Sequence, residues 1–338
     1  MRILGLIGCC GCLLAAGIAG AGDADRLAEL DRLLASGRAE EAARTAAELL
    51  ATEVLEPRNV WRIQQRLAVG LVRSGRAEEA VPVLEEALAV APQDPALHLN
   101  LGRALRSVGH GGRAVAEYGL AVSLQPDRFD WHLEYAEALL DLNIRRDALE
   151  QIRRARELCR DCPEALRGEV NFRLEDGDLA AAVEPLRALQ SVAPTSATRA
   201  LLVQTLWNLD DAEGVVAVLD TVPEADLGAE ELTLLLEADR RLGDPERALR
   251  WVESDAAAVR RLQRPEHQAW ALLAEMCLAG DEPDAALVAI DRAIALEPRT
   301  AAYHQNRAAI LVALGREDAA RDALERARSL DPRLGRAP

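Results

Sequence analysis

The chain has 338 residues, half of them apolar but only 3% aromatic, and carries 40 basic against 56 acidic residues for a formal charge of −16. That balance argues against a nucleic-acid partner, because a phosphate backbone is held by a basic excess that releases counterions. Every basic residue is arginine, which excludes Schiff-base and lysine general-base chemistry. Alanine and leucine supply most of the apolar surface, a composition suited to many small contacts between helices.

Residues 1–21 read as a secretory signal. Arg2 is followed by an uncharged stretch to Gly22 and then by Asp23 and Asp25, and Ala19-Gly20-Ala21 supplies a small-x-small cleavage site. A retained membrane anchor and a lipobox at Leu6 to Cys9 are the alternatives. All three place the protein outside the cytoplasm, in the periplasm or envelope. Membrane contact is then expected only through this segment, if it stays uncleaved or lipidated.

After the glycine-rich leader comes a seven-residue ruler. "SGRAEEA" spans Ser36 to Ala42 and returns at Ser74 to Ala80. Its core, a glycine followed five residues later by alanine, recurs from Gly109, Gly177, Gly243 and Gly315. The small-residue anchors are Ala42, Ala80, Ala114, Ala148, Ala182, Gly214, Ala248, Ala286 and Ala320, and five of their eight intervals are 34 residues. A fixed period of that size means a stacked array. Two intervals, Ala42 to Ala80 and Ala248 to Ala286, are 38 residues; four extra residues are close to one turn of helix, so a helix one turn longer keeps its buried face in phase. Ala182 to Gly214 is two residues short, so an irregular unit is expected around 195–228.

Each period holds two helical patterns. In the third, Leu101, Gly102 and Leu105 share one face of the first helix, and Ala114, Tyr118, Ala121 and Leu124 one face of the second. Gly109 ends the first helix in a left-handed conformation and Pro126 stops the second.

Farther along, Cys159 and Cys162 form a CxxC pair, with Cys277 left over once Cys9, Cys10 and Cys12 are assigned to the signal. In an oxidising compartment the pair is expected to close a small disulfide and Cys277 to stay unpaired. Redox, haem and zinc readings lack their context: no βαβ pattern surrounds the motif, Pro163 stands where haem attachment needs histidine, and no second CxxC exists. A thiol-dependent oxidoreductase using Cys159 and Cys162 is the distant alternative.

Small residues and proline at fixed places in the period resemble the tetratricopeptide repeat. In the last unit these are Ala308, Ala320, Ala327 and Pro332; in the eighth, Trp270, Ala274, Ala286, Ala293 and Pro298; in the second, Ala68, Ala80, Ala87 and Pro92. The resemblance covers residues 23–332 as about nine units, with 333–338 as a loose tail. It implies an all-α fold, a right-handed α-solenoid of stacked helix-turn-helix repeats. Arg321 and Arg328 stand where other units carry apolar residues and read as a solvated terminal face. His98, His132 and His304 occupy the family's tryptophan place, so packing between helices accounts for them without metal.

Proteins of this family bind peptides or proteins on a concave wall lined by the first helix of each pair. On that frame Arg62, Arg66 and Arg73 of unit two and Asn100, Arg103 and Arg106 of unit three point inward. Asp130, Glu134, Glu137 and Asp141 follow beside them, sharing one face of the next first helix. Two readings of this polarity compete: a ladder of salt bridges between units, or a groove that recognises a ligand carboxylate or backbone. The carboxylate clamp of family members that bind chaperone tails is not expected, because lysines are absent and Asp130 and Glu134 take its basic places. No cofactor, metal site, phosphate loop or catalytic constellation stands out. The expectation is therefore a non-enzymatic scaffold in an envelope or secretion/assembly complex, with a periplasmic peptide-binding chaperone as the alternative.

Overall fold

The structure is a computed structural model that describes residues 22–52, 55–254 and 257–335. The signal segment with its cleavage junction at Ala21, and tail residues 336–338, lie outside the described residues. Among the described residues there are nineteen α-helices and no strand. No helix among them is long and apolar enough to cross a membrane. The chain divides into two compact units, the first ending at Phe172 and the second beginning at Arg173.

In the first unit the pairs are α1 (Asp23–Ala35) with α2 (Ala39–Thr52), α3 (Pro57–Arg73) with α4 (Ala77–Val90), α5 (Pro95–Ser107) with α6 (Gly111–Leu124), and α7 (Phe129–Asp141) with α8 (Arg145–Leu158). Helix α9 (Pro163–Glu175) contains the division. The second unit continues with α10 (Leu179–Val192), α11 (Ser196–Asn208), α12 (Ala212–Leu219), α13 (Ala229–Leu242), α14 (Glu246–Ser254) and α15 (Ala257–Arg261). It finishes with α16 (Glu266–Ala279), α17 (Pro283–Leu296), α18 (Ala301–Ala313), α19 (Glu317–Leu330) and a 3-10 turn at Pro332–Gly335.

The tight turn inside each pair follows from one left-handed residue. Gly37, Gly75, Gly109, Gly177, Gly243 and Gly315 have φ between 71° and 81°, and Asn143, Asp210 and Asp281, at 58° to 64°, take that role in the other three pairs. The left-handed residue lets the next N–H turn back onto the helix: Arg38 N donates to Leu33 O at 2.9 Å and His110 N to Leu105 O at 2.8 Å. Five residues after each glycine the alanine anchor is buried, because the second helix crosses the first there and leaves no room for a larger side chain. Of the face expected on α6, Ala114, Tyr118 and Ala121 are buried but Leu124 is exposed. At 100° per residue Leu124 lies about 80° from Ala114 around the helix, beyond the edge of the packed stripe.

The two 38-residue intervals resolve differently. Helix α3 has 17 residues where most first helices have 13, which is the extra turn the spacing predicts. Between Ala248 and Ala286 the insertion does not lengthen a helix: α14 ends at Ser254 and a separate five-residue helix, α15, precedes α16. Within 195–228, where an irregular unit is expected, α12 has only eight residues and is followed by a 3-10 turn at Glu224–Asp226, most of this lying past the short interval that ends at Gly214.

The core of the first unit centres on Leu30, Ile63, Leu84, Leu97, Leu105 and Tyr118, all essentially inaccessible. Burying one such side chain is worth roughly 1.5–3 kcal/mol, against roughly 0–1 kcal/mol for an exposed ion pair. Apolar packing therefore holds the helices together, and the polar contacts described next select register and surface chemistry. Buried histidines add a repeated polar tie: Nε2 of His98, His132 and His304 donates to the carbonyl of Pro92, Pro126 and Pro298 at 3.0, 3.1 and 3.0 Å. Each tie joins a first helix to the proline that closes the helix before it. Arg321 and Arg328 on α19 are exposed.

Candidate functional site

In the first unit the expected inward residues lie on α3, α5 and α7, the first helices of successive pairs, and most of them bond to a neighbouring pair. Arg66 makes a two-pronged contact with Asp31 of α1, Nε to Oδ1 at 3.0 Å and Nη2 to Oδ2 at 3.2 Å. Arg73 reaches past it to the carbonyl of Leu34 at 2.9 Å, satisfying an acceptor at the end of α1. Arg103 grips Glu134 of α7 with Nε at 2.5 Å and with Nη2, while its Nη1 donates to Asn100 Oδ1 at 3.1 Å. Arg106 spans two carboxylates, Glu137 at 2.7 Å and Asp141 at 2.5 Å.

Geometry thus unites Asn100, Arg103 and Glu134 in one group and Arg106, Glu137 and Asp141 in a second. It leaves two expected members aside. Asp130 turns to Arg128 at 2.6 Å, whose guanidinium holds its carboxyl below the usual range. Arg62 is exposed and stacks over its neighbour Trp61, 5.3 Å from the ring centroid. Beneath the ladder Tyr118 is buried, which pushes its phenol up to about 12 and keeps it neutral. Bonding to Glu134 raises the Arg103 pKa, so this guanidinium stays charged.

The second unit carries a ladder of its own that composition and motif reading did not single out. Arg199 of α11 clasps Glu231 of α13 at 2.7 and 3.1 Å. Burial alone would raise the Glu231 pKa; the bonds from Arg199 and the Gly228 N–H outweigh it and hold the carboxyl below its ordinary value. Arg241 pairs with Asp210 and Arg264 with Glu237. A signal was present: arginine and acid stand 31 residues apart in Arg103–Glu134, Arg106–Glu137 and Asp210–Arg241, and 35 in Asp31–Arg66 and Arg106–Asp141. These separations bracket the 34-residue period by a few residues, so they bring side chains of successive repeats within reach.

The connector after α12 depends on Arg247, a buried arginine contacting three acids. Its Nε donates to Asp239 at 2.6 Å, Nη2 to Asp220 at 2.6 Å and Nη1 to Glu224 at 3.4 Å. Trp251 Nε1 donates to the same Glu224 at 2.9 Å, fixing the 3-10 turn against α14. Burial pushes the Asp239 carboxyl up despite the arginine beside it.

The structure joins Cys159 and Cys162 by a disulfide with Cα atoms 5.5 Å apart. Cys159 closes α8, its N–H bonded to Ala155 O at 2.9 Å, and Cys162 O accepts from Leu166 in the first turn of α9. The bridge therefore pins a helix-to-helix turn. A loop of four residues loses little chain entropy, about 2 kcal/mol in the loop-closure treatment. The Cys159→Ser/Cys162→Ser double variant should lose no more than that in urea unfolding, with its helical signal intact. Cys277 is buried in α16, and burial pushes its thiol up to about 11, which keeps it protonated and unreactive.

Family models describe two stretches of the chain as tetratricopeptide repeat, residues 61–104 in the first unit and 301–334 in the second. No curated protein matches the chain. Among solved structures it is similar to a tetratricopeptide repeat protein from Parabacteroides merdae, at 14% identity over 91% of this chain and 99% of that one, with a TM-score of 0.44. A thermophilic TPR protein of Thermus thermophilus is 20% identical over 55% and 100% of the two chains, with a TM-score of 0.45. The C-terminal part of a TPR repeat-containing protein from Cytophaga hutchinsonii is 14% identical over 90% and 95%, with a TM-score of 0.43. Each compact unit thus holds one stretch that matches the tetratricopeptide repeat.

Proposed function

We propose that this chain is a non-enzymatic protein-interaction scaffold that takes a protein or peptide partner on the first-helix walls of its repeats. The observation that carries this reading is the repetition of helix pairs whose first helices present charged side chains one period apart, with matched repeats in both units. Such a surface offers many spaced contacts, the layout of a recognition surface. We further propose that it works after export, in the periplasm or within an envelope or secretion assembly. The leader pattern of residues 1–21 and the Cys159–Cys162 bridge support that placement.

Because Arg103 is paired with Glu134, simple charge reversal would disturb packing and binding together. Exchanging the two, Arg103→Glu with Glu134→Arg, restores the pair while inverting the local field. Thermal unfolding should then stay within about 1 kcal/mol of the parent, while partner capture by the exported protein falls at least tenfold. Unchanged capture at unchanged stability would reduce this part of the wall to a structural ladder.

A further inference from the structure

Two shallow hollows interrupt the first-helix wall of the second unit. One, of about 260 Å³, lies between α16 and α18 with Ala274, Leu278, Ala309 and Ile310 beside Glu275 and Asn306. The other, of about 320 Å³, lies between α11 and α13 and includes Ala200, Leu201, Val203, Leu234 and Glu230. Both sit at the bottom of the size range for sites that enclose a small molecule, so each suits a single side chain of a longer partner. Their surfaces are largely aliphatic, and Leu201 is 39% exposed with nothing described above it.

The charge at the rims is one-sided. Glu231, beside the second hollow, is neutralised by Arg199, and Glu237 on the same helix by Arg240 and Arg264. Glu230 and Glu275 are exposed, and among the described residues neither is paired with an arginine; Glu275 accepts only the amide of Asn306, at 3.3 Å. Each hollow thus couples an apolar floor to a carboxylate free to take a cation. The chain has no lysine, and its net charge of −16 draws positive partners toward it.

Resting on the scaffold reading above, we propose that the first-helix wall of the second unit docks a cationic, aliphatic segment of a partner protein. A leucine-like side chain seats in each hollow, and an adjacent arginine or lysine of the partner reaches Glu230 or Glu275. Unpaired carboxylates above an aliphatic floor make an acidic segment a poor occupant, since it would be desolvated against like charge. In the first unit, by contrast, Arg66, Arg103 and Arg106 already meet acids along the wall.

The test uses the full exported chain and a fluorescein-labelled 14-residue peptide of leucine and lysine, compared with the same peptide carrying glutamate for lysine. Fluorescence anisotropy should show binding of the leucine–lysine peptide and at least tenfold weaker binding of its glutamate counterpart. Ala200→Arg and Ala309→Arg fill exposed positions without touching the core, and each should weaken binding at least fivefold. Glu230→Gln with Glu275→Gln should weaken it and flatten its dependence on salt. Equal binding of the two peptides, or binding of the leucine–lysine peptide unchanged in the three variants, overturns the proposal. The scaffold reading fails separately: it falls if the parent chain captures no partner by cross-linking in its own cells, whereas capture equal in the parent and in Ala309→Arg sinks only the docking site.

Discussion

Replacing Arg247 with methionine is expected to cost the second unit about 3–5 kcal/mol at neutral pH, measured as the shift in the urea unfolding curve. The size follows from what is left behind. Asp239 is 2% exposed and loses its bond from Nε, while Asp220 and Glu224 lose the cation that draws the 3-10 turn toward α14. A buried carboxylate without a partner is more costly than the pair was favourable, because desolvation remains and the compensating attraction is gone. The sign with pH follows from Asp239. Its pKa is raised by burial, so burial favours its neutral form, and stability linked to it is present at low pH and lost as pH rises through the folded-state value. The deficit of the methionine variant should therefore be smaller at pH 4 than at pH 7. Adding Asp239→Asn should recover part of it at pH 7. A loss below about 1 kcal/mol at pH 7 would mean that Arg247 contributes no more than a surface pair.

Gly70→Ala is expected to destabilise the first unit by about 2 kcal/mol, although alanine is the better helix former by about 1 kcal/mol. A Cβ at that position would stand 2.8 Å from the carbonyl oxygen of Ala39 and 2.9 Å from the amide nitrogen of Ala43. Both are backbone atoms of α2 and cannot rotate aside, so α3 must shift away from α2 along a contact packed at interior density. The control is the same substitution at Gly112, where an added Cβ meets nothing within 4 Å; there the propensity gain stands alone and stability should rise by a few tenths to about 1 kcal/mol. Thermal unfolding of the two variants side by side reads both signs. A Gly70→Ala protein as stable as its parent would show that the α2–α3 contact is looser than described.

The opposed behaviour of these two glycines marks where sequence reading stops. Both are glycines in helices of the first unit, and nothing in their immediate sequence tells one from the other. The difference is made by α2, thirty residues upstream, crossing at Gly70. Arg247 gives the same lesson for charge. It occupies an ordinary place in "DPERALR", and only the truncated α12 and the turn after it bring Asp220 and Glu224 to its side chain. The 38-residue intervals show both outcomes within one chain: identical in length, one became a longer helix, α3, and the other a separate helix, α15.

From the sequence by itself come the period, the helix pairs, the left-handed turn at each glycine and the alanine crossing five residues later. These are local quantities, set by backbone sterics and side-chain size within a dozen residues, and they repeat until the pattern is legible. Asp210 and Asp281, which take the left-handed place without being glycine, show how far even that signal thins, in the irregular stretch and in an otherwise well-matched unit alike. Which arginine meets which acid was decided by tertiary structure. A carboxylate 31 or 35 residues away becomes a neighbour only after the helices stack, and the stacking is driven by apolar burial that is indifferent to those charges. Hence Arg103, Arg106 and Arg66, inward-facing by pattern, are already paired, while the unmatched carboxylates Glu230 and Glu275 lie on first helices of the other unit. Spacing placed the wall, and packing determined which of its charges remain available to a partner.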